Sequence, residues 1–223
     1  MDIYLADTDP LKDQDRFERL VLQMPENRKK KILRMADPAN RRLSLGAGIL
    51  LSKVLSAHGK TEDQTETGPQ GKLYLPGEEH FFFNLSHSGS RFMCVAADVP
   101  VGCDVQQCYD ISEYRKIARR FFSQDETAAM DNVPEEEAKQ LFFRYWVLKE
   151  SYIKASGKGF STPLNSFSIH FSENGVPVLC GDSDEKTAFL ELKLNDGYFY
   201  ACCLLGKTFI EQFRTEWIDF FKL

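Results

Sequence analysis

Two segments of this chain carry residue types whose spacing could do acid–base or phosphate chemistry. The first is Val101-Gly-Cys-Asp104-Val-Gln106. Read as a strand, its alternation sends Val101, Cys103 and Val105 to one face and Gly102, Asp104 and Gln106 to the other. Asp104 and Gln106 then project side by side, about 6.6 Å apart at their α-carbons, and Gly102 would let a ligand approach the backbone. The second segment is Trp146-Val-Leu-Lys149-Glu150-Ser-Tyr-Ile-Lys154. Trp146, Glu150 and Lys154 stand at i, i+4 and i+8, one stripe of a helix flanked by Lys149. Each segment also has a plainer reading: a solvated polar face for the strand, and for the helix an exposed ion pair contributing a few tenths of a kcal/mol. Trp146 in register argues against an ordinary exposed face, because such rings bury or bind.

Three further groups of residues are suggestive. Ser86-His87-Ser88-Gly89 lacks a nucleophile elbow, and neighbouring side chains diverge too much for a serine–histidine pair. Its hydroxyl, imidazole and backbone N–H groups suit phosphate binding or a simple turn. Gly68-Pro-Gln-Gly71-Lys72 is too short for a P-loop and has Leu73 where Ser or Thr is needed, so it reads as a turn presenting Lys72. Arg28-Lys-Lys-Lys31, Arg34 and Arg41-Arg42 concentrate positive charge in a chain of net charge −5. That cluster is either an anion site or a solvated face, and the overall charge argues against nucleic acid as partner.

The elements that must position these residues follow from periodicity. A short strand is expected over 1–6, helices over 11–24, 26–35 and 38–58, and strands over 81–85, 91–97 and 101–106. Asp37 and Pro38 start the third helix and Gly59 ends it. The pattern then restarts, with helices over 111–122 and 134–155, a capping box at Ser123–Glu126, and strands over 166–171, 176–179, 187–194 and 198–205. Helices first and sheet second, twice, predicts an α+β fold of two pseudo-symmetric lobes, 1–106 and 107–223. Six cysteines form no CxxC pair or zinc spacing, and Cys94, Cys202 and Cys203 lie in apolar strands as small hydrophobes. No run approaches the roughly 20 apolar residues of a membrane helix, and the first residues lack a signal peptide's basic start and long apolar core. A cytoplasmic, monomeric protein is expected.

In order along the chain, Gly71-Lys72, Phe83-Asn-Leu-Ser86-His87-Ser-Gly89, Val101-Gly-Cys-Asp104, Phe121-Phe-Ser123, the Trp146–Lys154 helix and Gly157-Lys-Gly159 resemble the surfactin-type (Sfp-type) 4′-phosphopantetheinyl transferases. The resemblance implies two α+β lobes with coenzyme A in the cleft. Its phosphopantetheine arm would pass to a serine of an acyl or peptidyl carrier protein, releasing 3′,5′-ADP, as in holo-[acyl-carrier-protein] synthesis. It further implies Mg²⁺ on Asp104 and Glu150, with Gln106 peripheral or acting through water, and Glu150 and Lys154 as the catalytic residues beside Asp104. The implied coenzyme A contacts are Lys30, Arg42, Gly71, Lys72, Ser86, His87, Lys149 and Lys154. The basic rim of Arg115, Lys116, Arg119 and Arg120 is either the carrier docking surface or a solvated helix face. Three departures stand out: Asn27 where the family commonly has lysine, Leu73 for proline, and Gln106 at the second acidic position of the strand. The last of these leaves a competing expectation, a coenzyme A or carrier-binding module without turnover.

Overall fold

In the computed structural model, which describes residues 1–181 and 186–223, the first half of the chain runs β1 (Asp2–Asp7), α1 (Gln14–Leu22), α2 (Glu26–Arg34), α3 (Pro38–Ala57), β2 (Glu66–Thr67), β3 (Leu73–Tyr74), β4 (Phe82–Ser88) and β5 (Arg91–Ala97). The second half runs β6 (Val101–Gln107), α4 (Tyr114–Phe121), α5 (Gln124–Asp131), α6 (Glu135–Ser156), β7 (Ser168–Phe171), β8 (Pro177–Cys180), β9 (Thr187–Leu192) and β10 (Tyr198–Leu205). A last strand, β11 (Arg214–Ile218), follows. The fold is mixed α+β, as expected.

Topology repeats where residues do not. One sheet has the order β11-β1-β5-β4 and another β6-β10-β9. In each half the first strand pairs antiparallel with the last, which pairs antiparallel with the one before it. The repeating unit therefore begins at β1 and again at β6. The expected first lobe ends in β6, which hydrogen-bonds with β10, and β11 returns to pair parallel with β1. No strand was expected after residue 205. Arg214 to Trp217 are all exposed on a sheet edge, so no apolar alternation marks them.

Alternation along the strands sets the layers. Tyr4, Ala6, Phe92, Cys94 and Ala96 face α1 and α3, whereas Ile3, Leu5, Met93 and Val95 face the second sheet. From that sheet Val101, Cys103, Val105, Tyr200, Cys202 and Leu204 meet them. Ala201, Cys203 and Leu205 pack under α6. The strands are thus apolar on both faces, which is why four cysteines are buried as thiols; all six are free. In α3, the Asp37 carboxylate caps Ala39 N at 3.0 Å, and a side chain on Gly46 would strike the Phe92 ring. Among the described residues no helix is long and apolar enough to cross a membrane.

Candidate active site

The site begins at a seam. β6 and β4 run side by side without a backbone ladder, and side chains from alternate positions of β4 take its place. Asn84 Oδ1 accepts from Cys103 N at 2.9 Å, Ser86 Oγ from Val105 N at 3.4 Å and Ser88 Oγ from Gln107 N at 3.1 Å. Ser86 is thereby placed beside Asp104, and its hydroxyl donates to Asp104 Oδ1 at 2.7 Å.

Helix α6 closes the other side. A Cβ on Gly102 would lie 2.1 Å from Ser151 O and 2.3 Å from Ala155 N, so Gly102 makes room for the last turns of α6 and not for a ligand, as the sequence had suggested. That close approach brings the Lys154 ammonium to Asp104 Oδ1 at 2.6 Å and to Ser86 Oγ at 3.1 Å. Asp104, Ser86 and Glu150 are each less than one-tenth exposed. Replacing Gly102 by alanine is expected to lower stability by roughly 1–3 kcal/mol and to cut turnover, since backbone atoms must shift and carry Lys154 with them. Thermal melting together with transfer rates at a permissive temperature checks both parts.

The charges interact. Burial pushes the Glu150 carboxyl up to about 7, with Asp104 adding to the shift and Lys154 opposing it. Burial disfavours the Lys154 charge too, but Asp104, Cys103 and Glu150 together outweigh it and the net shift is upward. His87 sits at the exposed rim with its ring edge-on to Phe92. Its pKa is lowered by burial and by Lys154, against Asp104.

Beside this cluster lies a cavity of about 610 Å³ whose walls include Arg28, Lys31, Ser44, Gly71, Lys72, Asn84 and His87. Lys30 lines an adjoining depression with Asn27 and Arg34, sharing Lys31 and Met35 with the cavity. Arg42 is half-buried on α3 and lines neither.

Lys149, Gln106 and Trp146 lie outside the Asp104–Lys154 cluster. Lys149 does not join the site: it is fully buried on the far side of α6, where its ammonium donates to Glu126 Oε1 and Phe167 O, both at 2.7 Å. Being one position from Glu150, it points about 100° away around the helix. Gln106 shares the Asp104 face but lines a separate depression with Tyr109, Phe142, Phe143 and Trp146. Trp146 packs on Phe121, Phe122 and Phe142, so it belongs to the aromatic core as much as to the stripe. Sequence reasoning missed Asn84 and Ser88, although polar residues at 84, 86 and 88 of a strand are a visible period-two signal.

Among the described residues no three His, Cys, Asp or Glu side chains form a metal cluster. Asp104 and Glu150 supply a two-carboxylate set in which Asp104 adds to the rise of the Glu150 pKa. Such a pair fits Mg²⁺, which keeps waters and takes substrate phosphates to complete its shell.

A model of the 4′-phosphopantetheinyl transferase superfamily matches residues 100–203. Over 216 residues the chain is 30% identical to the 4′-phosphopantetheinyl transferase Sfp of Bacillus subtilis (strain 168), with 95% of this chain and 96% of that protein covered. The chain belongs to the Sfp-type 4′-phosphopantetheinyl transferases. It is also 37% identical over 139 residues to the 4′-phosphopantetheinyl transferase psf-1 of Bacillus pumilus, covering 62% of this chain and 59% of that one. Among solved structures, a holo-(acyl-carrier-protein) synthase from Bacillus anthracis str. Ames aligns with 49% of this chain and 96% of its own, at 17% identity and a TM-score of 0.44. The superfamily match runs from β6 into β10 and so contains Asp104, Glu150 and Lys154. Ser86 and the cavity walls of this transferase come from the first half of the chain.

Proposed function

We propose that this transferase moves the 4′-phosphopantetheine arm of coenzyme A to a serine of an acyl or peptidyl carrier protein and releases 3′,5′-ADP. The observation that carries the reading is the convergence of Asp104 and Lys154 with Ser86, with Glu150 close enough to interact with both charges, next to a 610 Å³ cavity lined by Leu85 and His87, the chain neighbours of Ser86. That size is within the usual range for a small-molecule site. The carrier serine oxygen attacks the phosphorus bearing the pantetheine, a new P–O bond forms, and the P–O bond to 3′,5′-ADP breaks with its electron pair on the leaving phosphate. Glu150 accepts the serine proton, directly or through water, from its place beside Asp104 and Lys154. Lys154, held charged by Asp104, stabilises the phosphate oxygens. Mg²⁺ bound by Asp104 and Glu150 would supply charge neutralisation at the pyrophosphate.

The nucleotide end is assigned to the basic wall. Gly71 and Leu73 border the adenine, and Lys30 with Lys31 receives the 3′-phosphate. On the docking rim, Arg115 is already paired with Asp131 and Glu135, and Lys116 with Glu113. Arg119 and Arg120 are exposed and are the better candidates for an acidic carrier helix.

The test is incubation of the protein with a panel of apo-carriers, coenzyme A and Mg²⁺. Mass spectrometry should show carriers gaining phosphopantetheine with one equivalent of 3′,5′-ADP released, and chelation should stop both. Coenzyme A binding without mass gain on any carrier would sink the reading.

A further inference from the structure

The turn between β2 and β3 is built to deliver one side chain. Gly68 N bonds to Lys72 O and Gly71 N to Gly68 O, both at 2.9 Å, and Gly71 takes the left-handed conformation at φ 81 that tight turns require. Lys72 is thereby aimed across the molecule at residues 82 positions away. Its ammonium donates to Lys154 O at 2.6 Å, Val101 O at 2.9 Å and Ala155 O at 3.4 Å. An ammonium has three N–H groups, and three carbonyls receive them, so no donor is left over for a phosphate.

Two of those carbonyls belong to the last turn of α6, where helix oxygens lack intrahelical partners and a cation is favoured by the helix dipole. The third belongs to the first residue of β6. We infer that Lys72 is a positioning residue, which clamps the end of α6 onto β6 and so holds Lys154 against Asp104 and Ser86. This rests on reading Lys154 as the phosphate contact. Because Gly71, Lys72 and Leu73 also wall the cavity, the same clamp ties the nucleotide end of the cleft to the reacting centre. Burial lowers the Lys72 pKa to about 8, with only the Cys103 and Cys203 thiols opposing. Among the described residues no carboxylate pairs with it, and the three carbonyls are what hold it.

The experiment compares Lys72→Met with the parent enzyme, holding Lys154→Ala as reference. A clamp predicts that kcat falls about tenfold while the KM for coenzyme A changes little, since a small misplacement of Lys154 costs transition-state stabilisation and not ground-state binding. It also predicts that the His87 titration followed by proton NMR moves to higher pH. Burial and Lys154 both lower the His87 pKa and Lys72 is not among its influences, so displacement of Lys154 raises it, and an unchanged His87–Phe92 ring contact in the same spectra separates that from a loss of burial. A rise in KM with kcat intact would make Lys72 a ligand contact and overturn the inference, as would an unmoved His87. If Lys72→Met does not fold, Lys72→Gln, which keeps a neutral donor, carries the same expectations at smaller size. Full activity in Lys154→Ala would remove the phosphate-contact reading and the clamp with it. A dead Lys154→Ala beside an unaffected Lys72→Met would remove the clamp alone.

Discussion

Glu150→Gln is expected to reduce transfer about a thousandfold, the middle of the range for losing a positioned general base, and at the same time to make the metal-free protein more stable at neutral pH. The two effects have one cause. Burial raises the folded-state pKa from 4.5 to about 7, so the unfolded chain gives up this proton at lower pH than the folded one does. Stability therefore falls as pH rises from about 4.5 to about 7 and stays lower above it, a penalty on the order of 3 kcal/mol. Glutamine cannot ionise, and its variant should melt higher than the parent above pH 7 and alike near pH 4. Calorimetry of the metal-free proteins across that window checks the stability, and carrier-mass kinetics check the rate. Parent-like turnover in the variant would reject Glu150 as base and metal ligand together.

Glu126→Ala should produce the largest loss of stability without touching the chemistry. Glu126 and Lys149 are both buried and paired at 2.7 Å. The carboxylate also accepts from Ser123 N at 2.9 Å, closing the capping box of α5, and from Ile169 N at 2.8 Å in β7. Removing it strands an ammonium in the core, a change that costs about 3–5 kcal/mol. Lys149 already has its pKa lowered by burial, with Glu126 opposing. Without Glu126 the folded state would favour the neutral amine while the unfolded state stays charged to about pH 10.4. Stability of the variant should therefore recover as pH rises toward that value. Denaturant unfolding at pH 7 and pH 9.5 checks the sign, and the rate per folded molecule should match the parent. A raised KM for coenzyme A in the folded variant would instead return Lys149 to the binding site.

Much of the site was legible because it obeys local geometry. Period two on β6 placed Asp104 on a polar face, and i, i+4 spacing put Glu150 and Lys154 on one stripe of α6. The Ser123–Glu126 capping box and the Asp37 cap were likewise readable, since each is satisfied within four residues. The surroundings of Lys149 and Lys72 were not legible, for the opposite reason. A lysine one residue off the stripe, or at a turn tip, looks the same in sequence whether it meets a phosphate, a buried glutamate or a helix end. The β11 strand was missed because an edge strand with four exposed residues has no apolar alternation to read.

What the sequence determined by itself is the α+β class, the repeated order of helices and sheet, and a centre made of Asp104, Glu150 and Lys154. The class, the order and the two stripes are carried by periodicities that act over a few residues, whereas the resemblance to the family is what joined Asp104 to Glu150 and Lys154. Only the tertiary structure decided that Gly102 admits a helix in place of a ligand, that Ser86 completes the Asp104–Lys154 contact, and that Lys72 spends its three N–H groups on carbonyls. Those outcomes depend on which backbones approach within hydrogen-bond distance across 18 to 82 residues of chain. Close packing of β4, β6 and α6 sets that approach, and no local spacing encodes it.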